Sequence, residues 1–152
     1  MLEGIVGVDY PGIAVVFFCH DDRGRFLAGK RSAWCRDEVG KWDIGSGEFN
    51  PLYENASQAL KRQVRKQYGV PIIKHEELGR RYVVRKYGNE TTNWLCIDFK
   101  VLVNAQELKG NMSGKLEAIG WFPQSEPPSP DEAHSQLYLF LLRLHPEILD
   151  YS

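Results

Sequence analysis

Gln63, Lys66 and Gln67 set the chemical question for this chain. They stand at i, i+3 and i+4, a spacing that brings side chains onto one face of a helix. Three carboxylates so placed gather around a hard cation. Here the same spacing gathers two neutral amides and an ammonium. A glutamine carbonyl accepts a hydrogen bond without bringing charge, and a lysine ammonium has no acceptor at all. Magnesium prefers anionic oxygens in near-octahedral geometry, so this face is not expected to hold it. Neither an amide nor an ammonium takes a proton at neutral pH, which removes general-base work as well.

The helix that presents these residues is legible from Glu54 to Val70. Ala56, Ala59, Leu60, Val64 and Tyr68 recur at the spacing of one buried stripe, opposite Arg62, Gln63, Arg65, Lys66 and Gln67. Gly69 and Pro71 predict its stop. From Glu54 to Tyr68, one acid faces Lys61, Arg62, Arg65 and Lys66, a local balance of +3. Two readings follow. Lys66 fills roughly the volume of a metal and pairs with a phosphate, or the face is a solvated basic surface.

Around this helix the pattern is that of an α/β domain. The apolar run Ile13–Cys19, a turn at His20–Gly24 and Arg25–Ala28 read as strand, turn, strand. Trp42–Ile44 suggests a short strand entering the glycine turn Gly45-Ser46-Gly47, and the loop Glu48–Tyr53 leads to the helix. Glu77–Lys86 and Thr92–Val103 flank Tyr87-Gly88-Asn89-Glu90 as a hairpin. Ala118–Phe122 is expected as a strand. After the proline-rich 123–130, Asp131–Leu144 is expected as a second amphipathic helix, with Leu137, Leu139, Phe140, Leu141 and Leu144 as core candidates. Residues 1–152 are read as a single domain with a mixed sheet covered on both faces.

Order and residues together resemble the Nudix hydrolase family, whose box runs G-x5-E-x7-R-E-U-x-E-E-x-G-U, with U apolar. Anchored on Gly69-Val70, the box places Glu54, Arg62 and Val64 on its E, R and U positions. Its leading G falls on Glu48, beside Gly47, as a one-residue insertion would produce. Flanking matches are Ala28–Ser32, Cys35-Arg36-Asp37-Glu38, Gly40–Gly45, Trp94–Phe99 and Gly120-Trp121-Phe122. The resemblance implies an α/β/α sandwich with a mixed β-sheet between the box helix and a C-terminal helix. It also implies splitting of a diphosphate by water, with metal ions held by the box glutamates. Gln63, Lys66 and Gln67 replace those glutamates, and Ala118 stands where a further acid often lies, with Glu117 one step off. By the same resemblance, Glu54 and Arg62 form a structural pair.

The expected function is therefore a divergent Nudix domain that binds a nucleoside-diphosphate-type or other phosphate-bearing small molecule. Metal-dependent hydrolysis would be lost or very weak, and no cofactor is expected. Substrate-binding candidates are Arg31, Arg36, Gly45, Gly47, Lys66, Arg81 and Trp94. One alternative is an active hydrolase using magnesium on Glu48, Glu54 or Glu117. Another is a protein-interaction domain without a ligand. Strand alternation puts Arg81 and Arg85 on one face and Arg80 and Tyr82 on the other; they read as surface arginines at a sheet edge, or one of the pairs lines a pocket. Trp34 and Trp94 are stacking candidates, whereas Trp42 and Trp121 read as core. Asp37 and Glu38 read as ligand contacts or as exposed loop charges. His134 reads as a helix-surface residue, and His20, His75 and His145 show no metal spacing.

A net charge of -1 gives no whole-molecule pull toward nucleic acid or an anionic membrane. Cys19, Cys35 and Cys96 lack CxxC spacing and read as reduced thiols of a cytoplasmic protein. The Ile13–Cys19 run is too short to cross a bilayer. Self-association as a homodimer stays open.

Overall fold

A computed structural model describes residues 4–35, 37–108 and 115–149. The strands in chain order are β1 (Gly12–His20), β2 (Arg25–Arg31), β3 (Trp42–Asp43), β4 (Gly45–Glu48), β5 (Ile72–Tyr87), β6 (Glu90–Val103) and β7 (Leu116–Pro123). Helix α1 (Ala56–Tyr68) follows β4, and α2 (Ser135–Leu139) follows β7. The strands form one mixed sheet. β1 lies parallel to β6 and antiparallel to β4, β5 closes one edge against β6, and β7 pairs antiparallel with β2. This is the expected α/β/α sandwich.

β1 explains the layering. Strand side chains alternate between faces. Val15, Phe17 and Cys19 meet Leu60, Val64 and Tyr68 of α1, together with Ile97, Phe99 and Val101 of β6. Val16 and Phe18 point the other way, to Leu137, Phe140 and Leu141 beside α2. A strand buried on both faces reads as a continuous apolar run rather than as alternation. Each of the fully buried large side chains contributes roughly 1.5–3 kcal/mol relative to exposure.

Helix α1 is fastened at both ends. Asn55 accepts from the Gln58 backbone N–H at 2.8 Å, while the Gln58 side chain accepts from the Asn55 N–H at 2.9 Å, a reciprocal capping box. Gly69 closes the helix in the left-handed region. Gln63 departs from the expected polar face. It is buried, because β4 lies across that part of the helix.

The C-terminal helix is shorter than expected. The backbone of Trp42 captures the preceding residues, donating to Glu132 O and accepting from the His134 N–H, each at 2.8 Å. Residues 131–134 are thereby held in a non-helical bridge, and the helix starts at Ser135. It widens into a π-helical turn over Phe140–Leu144. Of the core candidates, Leu137, Phe140 and Leu141 are buried, whereas Leu144 is exposed. The hairpin turn is Gly88-Asn89, with Tyr87 opposite Glu90. Trp42 and Trp121 are half-buried and pack against the two cores. No helix among the described residues is long and apolar enough to cross a membrane.

Gly45 shows how tightly β4 is seated. A β-carbon there would lie 1.9 Å from the Phe17 ring. Gly45→Ala is expected to destabilise the fold by about 3 kcal/mol, lowering the thermal midpoint by roughly 10 °C. An unchanged midpoint in a melting experiment would contradict this packing.

Candidate functional site

β4 and the loop after it lie against α1, and the two glutamine amides stitch them together. Gln63 Nε2 donates to Glu48 O at 3.1 Å, and Gln67 Nε2 donates to Ser46 O at 2.6 Å. Gly47 makes this approach possible, since a β-carbon there would lie 2.1 Å from the Gln63 amide carbon. The close-approach glycine is therefore Gly47, which accounts for the one-residue offset in the box. Arg62 pairs with Glu54 at 2.5 Å, as a link between helix and loop. The hydrogen bond from Arg62 is the main cause of the lowered Glu54 pKa. Both side chains are partly exposed, so the pair adds little stability.

Beside this stitch lies a pocket of about 230 Å³, lined by Lys66, Gln63, Gln67, Arg31, Lys115 and the Ser46–Glu48 backbone among others. Lys66 is exposed and makes no ion pair among the described residues. Arg31, Asp43, Ser46, Gly47 and Glu48 also line a larger cleft of about 490 Å³. The two are neighbouring parts of one groove. The cleft runs on to Arg81, Arg85, Trp94, His134 and Gln136.

Carboxylates hold the arginines of this cleft. Arg81 Nε donates to the buried Asp98 at 2.8 Å, and its Nη1 donates to Gln136 Oε1 at 3.2 Å. His145 Nε2 lies 3.0 Å from the same Asp98 oxygen. Arg31 and Arg85 both pair with Asp37 at 2.8 Å. Trp94 rests against Gly12, and its indole N–H donates to Thr92 Oγ1 at 3.0 Å.

A half-buried titratable group, Asp43, faces this assembly from β3. Burial raises the Asp43 pKa to about 7, against the opposing pull of Arg31 and Arg85. Its Oδ1 is buried and has no hydrogen-bond partner among the described residues. His134 caps α2, accepting from the Gln136 N–H on Nδ1 at 3.0 Å. The ring proton then sits on Nε2, which is 2.9 Å from Glu38 Oε2. Burial lowers the His134 pKa to about 4, so the ring is neutral at pH 7. The helix-surface expectation for His134 fails because its capping role draws the ring inward. Glu38 also accepts from the Ser135 N–H and hydroxyl at 2.9 Å. Asp37 and Glu38 are thus paired and half-buried, not exposed loop charges.

Of the substrate-binding candidates, Arg31, Gly47, Arg81 and Trp94 line the cleft, and Lys66 lines the adjoining pocket. Gly45 lines neither, because Phe17 occupies the space in front of it. Arg36 lies outside the described residues. Trp34 is 86% exposed and lines neither part of the groove. Glu117 points outward to Lys30 at 3.4 Å. Asp43, His134 and Gln136 were absent from the sequence-derived set. Arg85 was accessible through its alternation with Arg81, whereas Asp43 carries no local signal of burial. Among the described residues, no three His, Cys, Asp or Glu side chains converge in a way that could hold a metal ion.

Asp43 and His134 predict opposing pH dependences. Asp43 holds its proton to higher pH when folded than the ordinary 3.8, so its contribution to stability falls as pH rises from about 4 to 7. His134 is depressed from 6.5 to about 4, so its contribution is present above 6.5 and is lost as pH falls through 4. Asp43→Asn should therefore gain on the unsubstituted protein between pH 5 and pH 8, by on the order of 2 kcal/mol. Urea denaturation at the two pH values measures this, and a pH-independent difference would contradict it.

Comparison with known proteins places the chain. A model of the NUDIX domain matches residues 10–144. Among solved structures, the MutT NUDIX hydrolase from Burkholderia pseudomallei superposes with a TM-score of 0.70 at 21% identity, covering 86% of this chain and 95% of that one. The MutT protein from Methanosarcina mazei Go1 superposes with a TM-score of 0.71 at 23% identity, covering 90% and 95%. The NUDIX domain of Shewanella oneidensis NrtR, solved in complex with ADP ribose, superposes with a TM-score of 0.64 at 16% identity, covering 97% and 91%. At these identities the superpositions speak to the fold alone. No curated protein matches the chain in sequence. With the domain model spanning nearly all of its length, the chain belongs to the NUDIX domain family.

Proposed function

We propose that this NUDIX domain binds a phosphate-bearing small molecule of the nucleoside-diphosphate type, and that metal-dependent hydrolysis at its box is lost or very weak. The observation that carries the reading is the amide stitch with Lys66 beside it. Gln63 and Gln67 turn N–H donors toward Glu48 O and Ser46 O, so these carbonyls already have hydrogen-bond donors. The ammonium of Lys66 lines the pocket alongside. This donor set does not fit the divalent cation that the family implies, because it offers hydrogen-bond donors and positive charge where a cation needs anionic oxygen. It does fit a phosphate, which accepts charge-assisted hydrogen bonds from the Lys66 ammonium beside amides that bring no opposing negative charge.

The groove also has room for the remainder of such a ligand. Trp94 offers an apolar wall for a ring, and the cleft volume of about 490 Å³ suits a small molecule. The NrtR domain complexed with ADP ribose shares this fold, which is consistent with a ligand of that general class.

One observation favours the second reading, a working hydrolase with relocated metal ligands. Glu48 lines both parts of the groove and makes no ion pair among the described residues. Glu54 and Glu117 are less available, being paired with Arg62 and Lys30. Glu48 and Asp43 are the two carboxylates that line both parts of the groove, and no third ligand joins them among the described residues, a weak nucleus for a magnesium site.

Titration calorimetry with ADP in the presence of EDTA tests the first reading. Binding should persist without metal, and Lys66→Glu should weaken it by about tenfold or more. Loss of binding on chelation would overturn the reading. So would magnesium- or manganese-dependent turnover of nucleoside diphosphate derivatives that disappears in Glu48→Gln.

A further inference from the structure

Arg31 and Arg85 reach one carboxylate from two different strands. Asp37 accepts from Arg31 Nη2 on Oδ1 and from Arg85 Nη2 on Oδ2, each at 2.8 Å. Its main-chain carbonyl accepts from Arg31 Nε at 3.1 Å. Both arginines line the larger cleft. A guanidinium presents five N–H donors in a rigid fork. Nη1 of Arg31, and Nε and Nη1 of Arg85, make no hydrogen bond within the described residues. A substantial share of the pair's donor capacity is therefore unused.

We propose that Arg31 and Arg85 form a subsite for a second phosphate group of the ligand, apart from the diphosphate end at Lys66, with Asp37 as the internal anion competing for it. The inference rests on the ligand reading above and adds the class of ligand: a nucleotide carrying a phosphate away from its diphosphate.

Three observations carry it. A carboxylate already bridges the two guanidinium groups, so their spacing suits an anion that offers two oxygens. Lys66 lines only the smaller pocket and Arg85 only the larger cleft, with Arg31 lining both, so the Arg31–Arg85 pair continues the groove beyond the Lys66 end. Finally, Asp37 is the carboxylate that touches both guanidinium groups, whereas Glu38 stands 3.7 Å from Arg85 and Asp43 lines the same cleft without an ion pair to either arginine among the described residues. A phosphate brings more acceptor oxygens and up to twice the charge of a carboxylate, and can engage the donors that Asp37 leaves free. Removing the Asp37 charge should strengthen the subsite. A purely structural role for the Asp37 bridge predicts no such gain.

The test is titration calorimetry without divalent ions, comparing ADP with its 2′- and 3′-phosphorylated counterparts. One of the phosphorylated forms should bind the unsubstituted protein about tenfold tighter than ADP. That ratio should fall to about one in Arg85→Gln and rise in Asp37→Asn, as expected for a charge-assisted contact. Arg85→Lys, which keeps the charge but loses the fork, should give an intermediate ratio and covers the case in which Arg85→Gln fails to fold. A ratio near one in the unsubstituted protein, or one that Arg85 variants leave unchanged, overturns the subsite while ADP binding leaves the ligand reading standing. If neither ADP nor its phosphorylated forms bind, both fall together.

Discussion

The distance between the β4 backbone and helix α1 governs the chemistry of the groove. Gly47 permits an approach that no β-carbon would allow, and the Gln63 amide lies where that carbon would be. Two main-chain carbonyls, Ser46 O and Glu48 O, then face the helix with donors already attached. These two hydrogen bonds tie the loop to the helix as well as shaping the pocket. An uncharged fastener holds the same two elements that, by family resemblance, metal-binding glutamates would line. Lys66, exposed and without an ion pair among the described residues, brings positive charge to this pocket, as do Arg31 and Lys115.

The other half of the groove follows a different rule. Its arginines are not free charges but oriented ones. Asp98 holds Arg81 from behind, and Asp37 holds Arg31 and Arg85 together. Ion pairs of this kind are poor evidence of stability, since desolvation offsets most of their attraction. Their effect here is to limit where each guanidinium can point. The same cluster ties four parts of the chain together, because Glu38 binds both His134 and the start of α2. His134 therefore links helix start, loop and cleft in one side chain, and Asp43 sits alongside, 3.6 Å away.

Much of the fold was legible because its signals are local. The apolar run of β1, buried on both faces by alternation, could be read from residue types alone. So could the α1 stripe, its glycine stop and the hairpin around Gly88-Asn89. Arg81 and Arg85 were correctly placed on one face by the period of a strand. The C-terminal helix was over-extended because the backbone of Trp42 competes for residues 132–134. That competitor lies about ninety positions away and leaves no mark on the local pattern. Gln63 and His134 were assigned to surfaces for the same reason. A polar residue reads as exposed until a partner for its hydrogen bonds is known.

Residue type and spacing alone determined that the helix face at 63, 66 and 67 carries amides and an ammonium. The charge of that face and its poverty in metal ligands needed no coordinates. What the amides do instead was decided by tertiary structure, because only the seating of β4 brings Ser46 O and Glu48 O within their reach. The convergence of Arg31, Asp37, Arg85 and His134 was likewise decided by folding. These residues come from four separate segments, and each contact closes a loop that sequence separation conceals. Local order sets which groups are available, whereas the depth of their burial and the identity of their partners depend on long-range packing.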